Sequence, residues 1–149
     1  MNINVRPLKA EDIKVILQGG IIECGVKSSG NECIDKLSKE YEDGGTSITV
    51  TLDDKIMGVG GVGIFWQGVG EVWAMFSPEI AKYPIETVKR TRTALNKIIH
   101  DYNLHRVQCY VREDLTAQGF VKALGFKEEG VAKKYTHDKV DCTLYSIVR

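Results

Sequence analysis

The chain begins with Ile3 and Val5 alternating with polar neighbours, the period-2 pattern of a strand over residues 2–6, and Pro7 closes it. The period then becomes helical. Ala10-Glu11-Asp12 opens a helix that carries Ile13, Ile16 and Leu17 on one face. A second helix follows Ser28-Ser29-Gly30, with Cys33, Ile34, Leu37 and Tyr41 at helical spacing, and Gly44-Gly45 ends it. Alternation returns over residues 46–52 around Ile48, Val50 and Leu52. Asp53-Asp54-Lys55 is a turn, and residues 56–66 come back as the partner strand. A second turn, Gln67-Gly68-Val69-Gly70, leads into a strand over residues 71–76 and completes an antiparallel meander.

A long helix over residues 84–102 starts at Pro84, with Ile85, Val88, Leu95, Ile98, Ile99 and Tyr102 as its apolar stripe. Lys89, Arg90, Arg92 and Lys97 face elsewhere. Residues 106–111 form the next strand, placed parallel to the last meander strand by the helical crossover. A shorter helix over residues 115–124 stops at Gly125. Strands over residues 126–131 and 140–148 close the chain around the polar turn Thr136-His137-Asp138-Lys139. The order β-α-α-β-β-β-α-β-α-β-β has no repeat or linker and predicts one α/β domain, residues 1–149, on a mixed sheet.

Charge narrows the partners. Lys plus Arg equals Asp plus Glu at 20 each, which leaves no electrostatic footprint for nucleic acid or an anionic membrane. No apolar run is long enough for a signal peptide or a membrane span, so a cytoplasmic location is expected. Small molecules and proteins remain as partners, a second copy of the chain among them. Cys24, Cys33, Cys109 and Cys142 form no CxxC pair, and no Cys/His cluster has metal-ligand spacing; reduced thiols are expected.

Two patterns invite a stronger reading than they bear. Gly58, Gly60, Gly61 and Gly63 suggest a dinucleotide loop, but that chemistry needs glycines between a strand and a helix N-terminus. Here they lie inside a strand, where glycine marks a bulge or a close backbone approach. Lys89-Arg90-Thr91-Arg92 reads as the solvated side of the long helix, with a phosphate-binding role kept open by its place near the helix start.

Several segments, in order, resemble the GNAT N-acetyltransferase superfamily over nearly the whole chain. Val5-Arg6-Pro7-Leu8 followed by Glu11-Asp12-Ile13 is similar to its opening strand and helix. Ala123-Leu124-Gly125-Phe126 resembles the end of its fourth helix, and Glu128-Glu129-Gly130-Val131 its closing hairpin. The resemblance implies a GNAT fold, acetyl-CoA as co-substrate and an amine acceptor, either a small molecule or a protein. It implies a V-shaped gap for the pantetheine arm, lined by Trp73, Ala74, Met75, Phe76 and Ser77, with acyl polarisation by backbone N–H near Met75 to Ser77. It implies Glu71 as the base that takes a proton from the amine.

The sequence departs from that pattern at two places. The family's glycine-rich phosphate loop is replaced after Pro78 by Glu79-Ile80-Ala81-Lys82-Tyr83-Pro84-Ile85-Glu86, leaving Lys82, Lys89 and Arg90 as charge for a pyrophosphate. The usual acid tyrosine is Val121, with Tyr110 and Tyr135 as substitutes, and Asp114 stands where an Asn is common near the cofactor. Residues 73–90 more closely resemble GNAT-like proteins of short-tailed bacteriophages, in which a Ser/Thr-Pro-Glu turn and a Pro-led helix replace the loop. That implies phage origin, in the host cytoplasm or the virion, and an alternative function: a catalytically degenerate GNAT-fold protein that binds another protein.

Overall fold

The computed structural model describes residues 2–18, 22–24 and 34–149. Its elements are β1 (Ile3–Pro7), α1 (Ala10–Gln18), β2 (Ile22–Cys24), α2 (Ile34–Gly44), β3 (Ser47–Leu52), β4 (Lys55–Trp66), β5 (Val69–Phe76), a 3-10 turn (Pro78–Lys82), α3 (Pro84–Asp101), β6 (Arg106–Arg112), α4 (Leu115–Ala123), β7 (Lys127–Ala132) and β8 (Cys142–Val148). The sheet runs β1-β3-β4-β5-β6-β8-β7, and β2 pairs with β5 off that path. Among the described strands only the β5–β6 pair is parallel, as the crossover through α3 requires. The start of the second helix at Ser28-Ser29-Gly30, and Cys33 on it, lie outside the described residues.

Local chemistry explains the meander. Asp53 and Asp54 adopt φ of 47° and 67°, the left-handed pair that a two-residue hairpin turn needs and that Asp tolerates. Three of the β4 glycines, Gly58, Gly60 and Gly61, serve close approach. A Cβ on Gly61 would lie 2.6 Å from the Thr46 carbonyl oxygen, and one on Gly58 would lie 2.4 Å from the Phe76 ring.

The helices divide over the two faces. Leu95 and Ile99 of α3 and Val121 of α4 bury against Ala74, Phe76 and Cys109, with Phe76 and Phe120 meeting edge to face at 5.0 Å. Ile85 departs from its predicted place in this stripe and is 73% exposed. It sits two residues, about 200° of helix turn, from the buried Thr87, and so on the opposite side. Tyr102 also falls outside the stripe, half exposed at the C-cap just past the last helical turn.

On the other face, Ile13 and Ile16 of α1 pack with Leu8, Val59 and Trp73. Asp12 is buried among them. Its oxygens accept from Arg6 at 2.8 and 3.0 Å, from the Thr49 hydroxyl at 2.7 Å and from the Lys9 amide at 2.9 Å. Burial pushes this carboxyl up, but the Arg6, Thr49 and Lys9 hydrogen bonds outweigh it and hold Asp12 below the ordinary carboxylate value.

Candidate active site between two parting strands

The cleft comes from incomplete strand pairing. β5 and β6 pair through Val69↔Arg106, Gly70↔Val107 and Glu71↔Gln108, and there the ladder stops although both strands continue. Beyond that point β5 turns its free edge to β2, with Cys24↔Ala74, Glu23↔Met75 and Ile22↔Phe76 in antiparallel register. The other edge of β6 stays paired with β8 along its whole length. Glu71 is therefore the last residue of β5 paired with β6, at the apex of the divergence.

Glu71 is 8% exposed and alternates onto the same face as Trp73. Tyr41 of α2 stacks on Trp73 with ring centroids 4.3 Å apart and planes 20° apart. On β6, Tyr110 lies two residues past Gln108, hence on the same face, and Tyr135 from the β7–β8 connection stacks on it at 4.3 Å and 17°. Burial, then the charges of Glu71 and Glu40, push the Tyr41 phenol up to about 12. Burial, then Glu71, Tyr110 and Cys142, push Tyr135 up as well. The charge of one carboxylate thus bears on tyrosines from two separate elements. The buried indole N–H of Trp73 has no hydrogen-bond partner among the described residues.

The arginines on this face of β6 are engaged. Arg106 donates to Gln108 at 2.9 Å and pairs with Glu129 at 2.7 Å. Arg112 pairs with Asp138 at 2.8 Å, and that guanidinium, with the Thr136 hydroxyl, holds Asp138 well below the usual carboxylate range. Cys142, on this face, and Cys109, on the opposite face, are buried cysteines outside any disulfide. Among the described residues no group of three or more His, Cys, Asp or Glu could hold a metal ion, and no helix is long and apolar enough to cross a membrane.

The remaining predicted residues are spread more widely. Trp73 and Met75 face α1 and α2, whereas Ala74 and Phe76 belong to the apolar core under α3 and α4. Ser77 donates its amide to the Met57 carbonyl at 2.8 Å, so that N–H is not available to polarise an acyl group. Lys82 ends the 3-10 turn, and Lys89 and Arg90 lie 3.9 and 3.7 Å from the Glu86 carboxylate on exposed surface. Asp114 caps α4, its Oδ1 accepting from Thr116 and Ala117 at 2.8 and 3.2 Å. Val121 is core, 2% exposed.

A coenzyme A thioester, which the sequence resemblance implies, fits this arrangement at one end only. The apex offers a carboxylate and a tyrosine on facing strands. The β5 edge from Ala74 to Phe76 is already paired with β2, so no extended arm can pair there while β2 holds it. At the start of α3, Pro84 brings no N–H, and the Thr87 amide is bonded to Tyr83. Sequence reasoning reached Glu71, Tyr110 and Tyr135. It missed β2, which is three residues with no period of its own, and the pairing of Tyr41 with Trp73, whose only sequence trace was a place in the apolar stripe of α2.

Comparison with solved structures identifies the fold. Ard1 from Thermoplasma volcanium superposes with a TM-score of 0.77 at 15% identity, over 99% of this chain and 98% of that one. A GNAT-family acetyltransferase from Bacillus anthracis gives 0.73 at 14%, over 99% and 95%. Mycobacterium smegmatis RimJ, solved with CoA-disulfide, gives 0.73 at 17%, over 98% and 81%. The chain has the GNAT acetyltransferase fold, and none of these three neighbours is a phage protein. No protein-family model and no curated protein matches it.

Proposed function

We propose that the protein transfers an acyl group from a coenzyme A thioester to the amine of an acceptor, with Glu71 as the base. The observation that carries this reading is a buried carboxylate where two parallel strands of a GNAT-type sheet part. A thioester supplies an acyl carbon that an amine can attack once its nitrogen lone pair is free. An ammonium has no such lone pair, so the Glu71 carboxylate accepts its proton as the N–C bond forms. Tyr110, on the facing strand, holds a hydroxyl able to return a proton to the leaving side. Lys82, Lys89 and Arg90 supply positive charge near the start of α3 for the nucleotide end, and a neighbour in fold, RimJ, was solved with CoA-disulfide.

A second reading is favoured by one observation, the occupation of the Ala74–Phe76 edge by β2. A protein that keeps this edge closed acts by binding another protein, as a virion component or a modulator of a host factor, in line with the phage-like segment at residues 73–90. Calorimetric titration with acetyl-CoA separates the two. Binding within the ~1 μM–1 mM range usual for enzyme substrates supports transfer, and absence of heat at millimolar ligand gives the second reading the lead. Converting Lys82, Lys89 and Arg90 together to Ala should abolish that binding with the melting temperature nearly unchanged. Glu71→Gln keeps the shape and removes the basicity. Turnover should fall ~10²–10⁴-fold with acetyl-CoA affinity intact, and the deficit should shrink at high pH, where more of the amine is already deprotonated.

A further inference from the structure

We propose that two copies of this chain meet through the tip of the β4–β5 hairpin, Ile64-Phe65-Trp66, about a two-fold axis, as a weak and reversible dimer. The inference is independent of the transfer reading. β3 accompanies β4 only as far as Ser47↔Gly61. Thr46 then fills the place beside Val62, its carbonyl accepting from the Val62 amide at 3.1 Å and its hydroxyl donating to the Val62 carbonyl at 2.6 Å. Gly45, at φ 72°, joins this point to the end of α2. Residues 63–66 therefore run on with β5 as their only strand partner among the described residues. The amide and carbonyl of Val62 point into the lane of β3. Those of Ile64, two residues on, point into the same lane past the end of β3.

Side chains make this open edge unlike the two ends of the sheet. β7, at one end, carries Lys127, Glu128 and Glu129 with a bulge before Gly130, and β1, at the other, closes with Arg6 and Pro7. Charge, bulges and proline keep a strand edge from pairing. The hairpin tip has a bulge as well, but it presents rings and no charge. Ile64, Phe65 and Trp66 are 40%, 46% and 65% exposed, and the two rings lie 5.6 Å apart as one patch. No charged residue occurs from Ile56 to Gly70. Three consecutive exposed apolar residues are unfavourable in water and mark a contact site. A second copy is the partner these features fit. A two-fold contact sets like groups against each other, which a charged patch forbids and a neutral one permits. An antiparallel strand edge is also its own complement in hydrogen bonding. An axis near Phe65 keeps the partner clear of Thr46. The area sets the strength, since an aromatic side chain buries ~150–250 Å² in full, so Phe65 and Trp66 offer roughly 200 Å² per copy. Two copies, with Ile64 and backbone added, stay well below the ~1,200 Å² of stable complexes, which places Kd at ~10 μM–1 mM. The tip adjoins the paired end of β5 and β6, so the dimer leaves their parting ends open.

Sedimentation equilibrium of the whole chain from ~5 μM to ~1 mM should show the mass rising from that of one chain towards that of two, and no further. Trp66 emission should shift to the blue over the same concentrations, because Trp66 is exposed and Trp73, the only other indole, is already buried. Phe65→Lys and Phe65→Glu should each associate at least ~10-fold more weakly than the wild type, since like charges then face one another across the axis. Their melting temperatures should match the wild type, because Phe65 is on the surface. Mixed in equal amounts, the two variants should recover association at least as strong as that of the wild type, which a contact of the tip with its own copy requires. A wild type that stays monomeric at ~1 mM overturns the proposal, whether or not the tip then binds phosphatidylcholine vesicles. A dimer that both variants leave intact also overturns it, as does a mixture no tighter than either variant alone. Should the variants fail to fold, the wild type decides by itself. Mass rising without the emission shift places the contact elsewhere, and growth beyond two chains replaces the two-fold axis by a head-to-tail contact; either result overturns the proposal.

Discussion

The two faces of the sheet are built from different chemistry. Under α3 and α4 the buried side chains are apolar almost throughout, from Leu95 and Ile99 to Val107 and Val111. Under α1 and α2 the same sheet buries Asp12, Thr49 and Glu71 beside Trp73 and Ile16. Burial of carbon is non-directional and tolerant, whereas each buried carboxylate needs named partners in fixed places. The first face holds the molecule together; the second holds groups whose charge can do work. That division is why both candidate catalytic residues, Glu71 and Tyr110, lie on the α1–α2 face, and why Val121, on the other, is an ordinary core position.

The largest expected effect tests the apolar face. Leu95→Ala removes a side chain 5% exposed at the centre of the α3 contact, and should cost ~2–5 kcal/mol in chemical denaturation. A cost below ~0.5 kcal/mol, the scale of surface changes, would mean that α3 contributes little to the core. The pH dependence of stability should be the same as in the wild type, since no titrating group is touched.

Asp12→Asn tests the opposite face and should differ in kind. The shape is kept, but the charge-assisted bonds from Arg6 and Thr49 weaken, at a cost of ~1–3 kcal/mol near neutral pH. Because the folded pKa of Asp12 lies below its unfolded value, its contribution is fully present above the unfolded value, ~3.9, and is lost as pH falls through the folded one. The wild type should therefore lose stability relative to Asp12→Asn as the solution is acidified through and below that value. Parallel acid curves for the two proteins would show that the carboxyl is not tuned by its partners.

How far the sequence disclosed these faces depends on the range of the interaction involved. Elements set by local period were legible: the meander, the α3 stripe from Val88 to Ile99, and the strand placement of the β4 glycines. Ile85 misled because apolar character alone does not fix the side of a helix, and the buried positions around Thr87 fix it elsewhere. Asp12 read as an acid opening a helix. Its burial depends on Thr49, 37 residues away, which no local pattern signals. β2 is a strand only because β5 has an edge to offer. In the candidate site, Glu71 was legible through resemblance, but the stacks of Tyr41 and Tyr135 were not, because each joins residues from different elements.

The smallest effect sharpens the contrast at one atom. Thr91 of α3 faces the apolar side, where it lines an interior pocket with Ala94, Leu95, Ile98 and Val62, and its hydroxyl is buried without a hydrogen-bond partner among the described residues. An unpaired buried hydroxyl costs stability, and valine replaces it at nearly the same shape with a methyl. Thr91→Val should therefore raise stability, by ~1 kcal/mol, the lower end of that penalty. The same exchange at Thr49 should lower it, since that hydroxyl donates to Asp12 at 2.7 Å. Opposite signs for one chemical change on the two faces would establish the division directly. If both variants lose stability, the Thr91 hydroxyl has a partner, such as an ordered water, and the α3 face is less purely apolar than its side chains indicate.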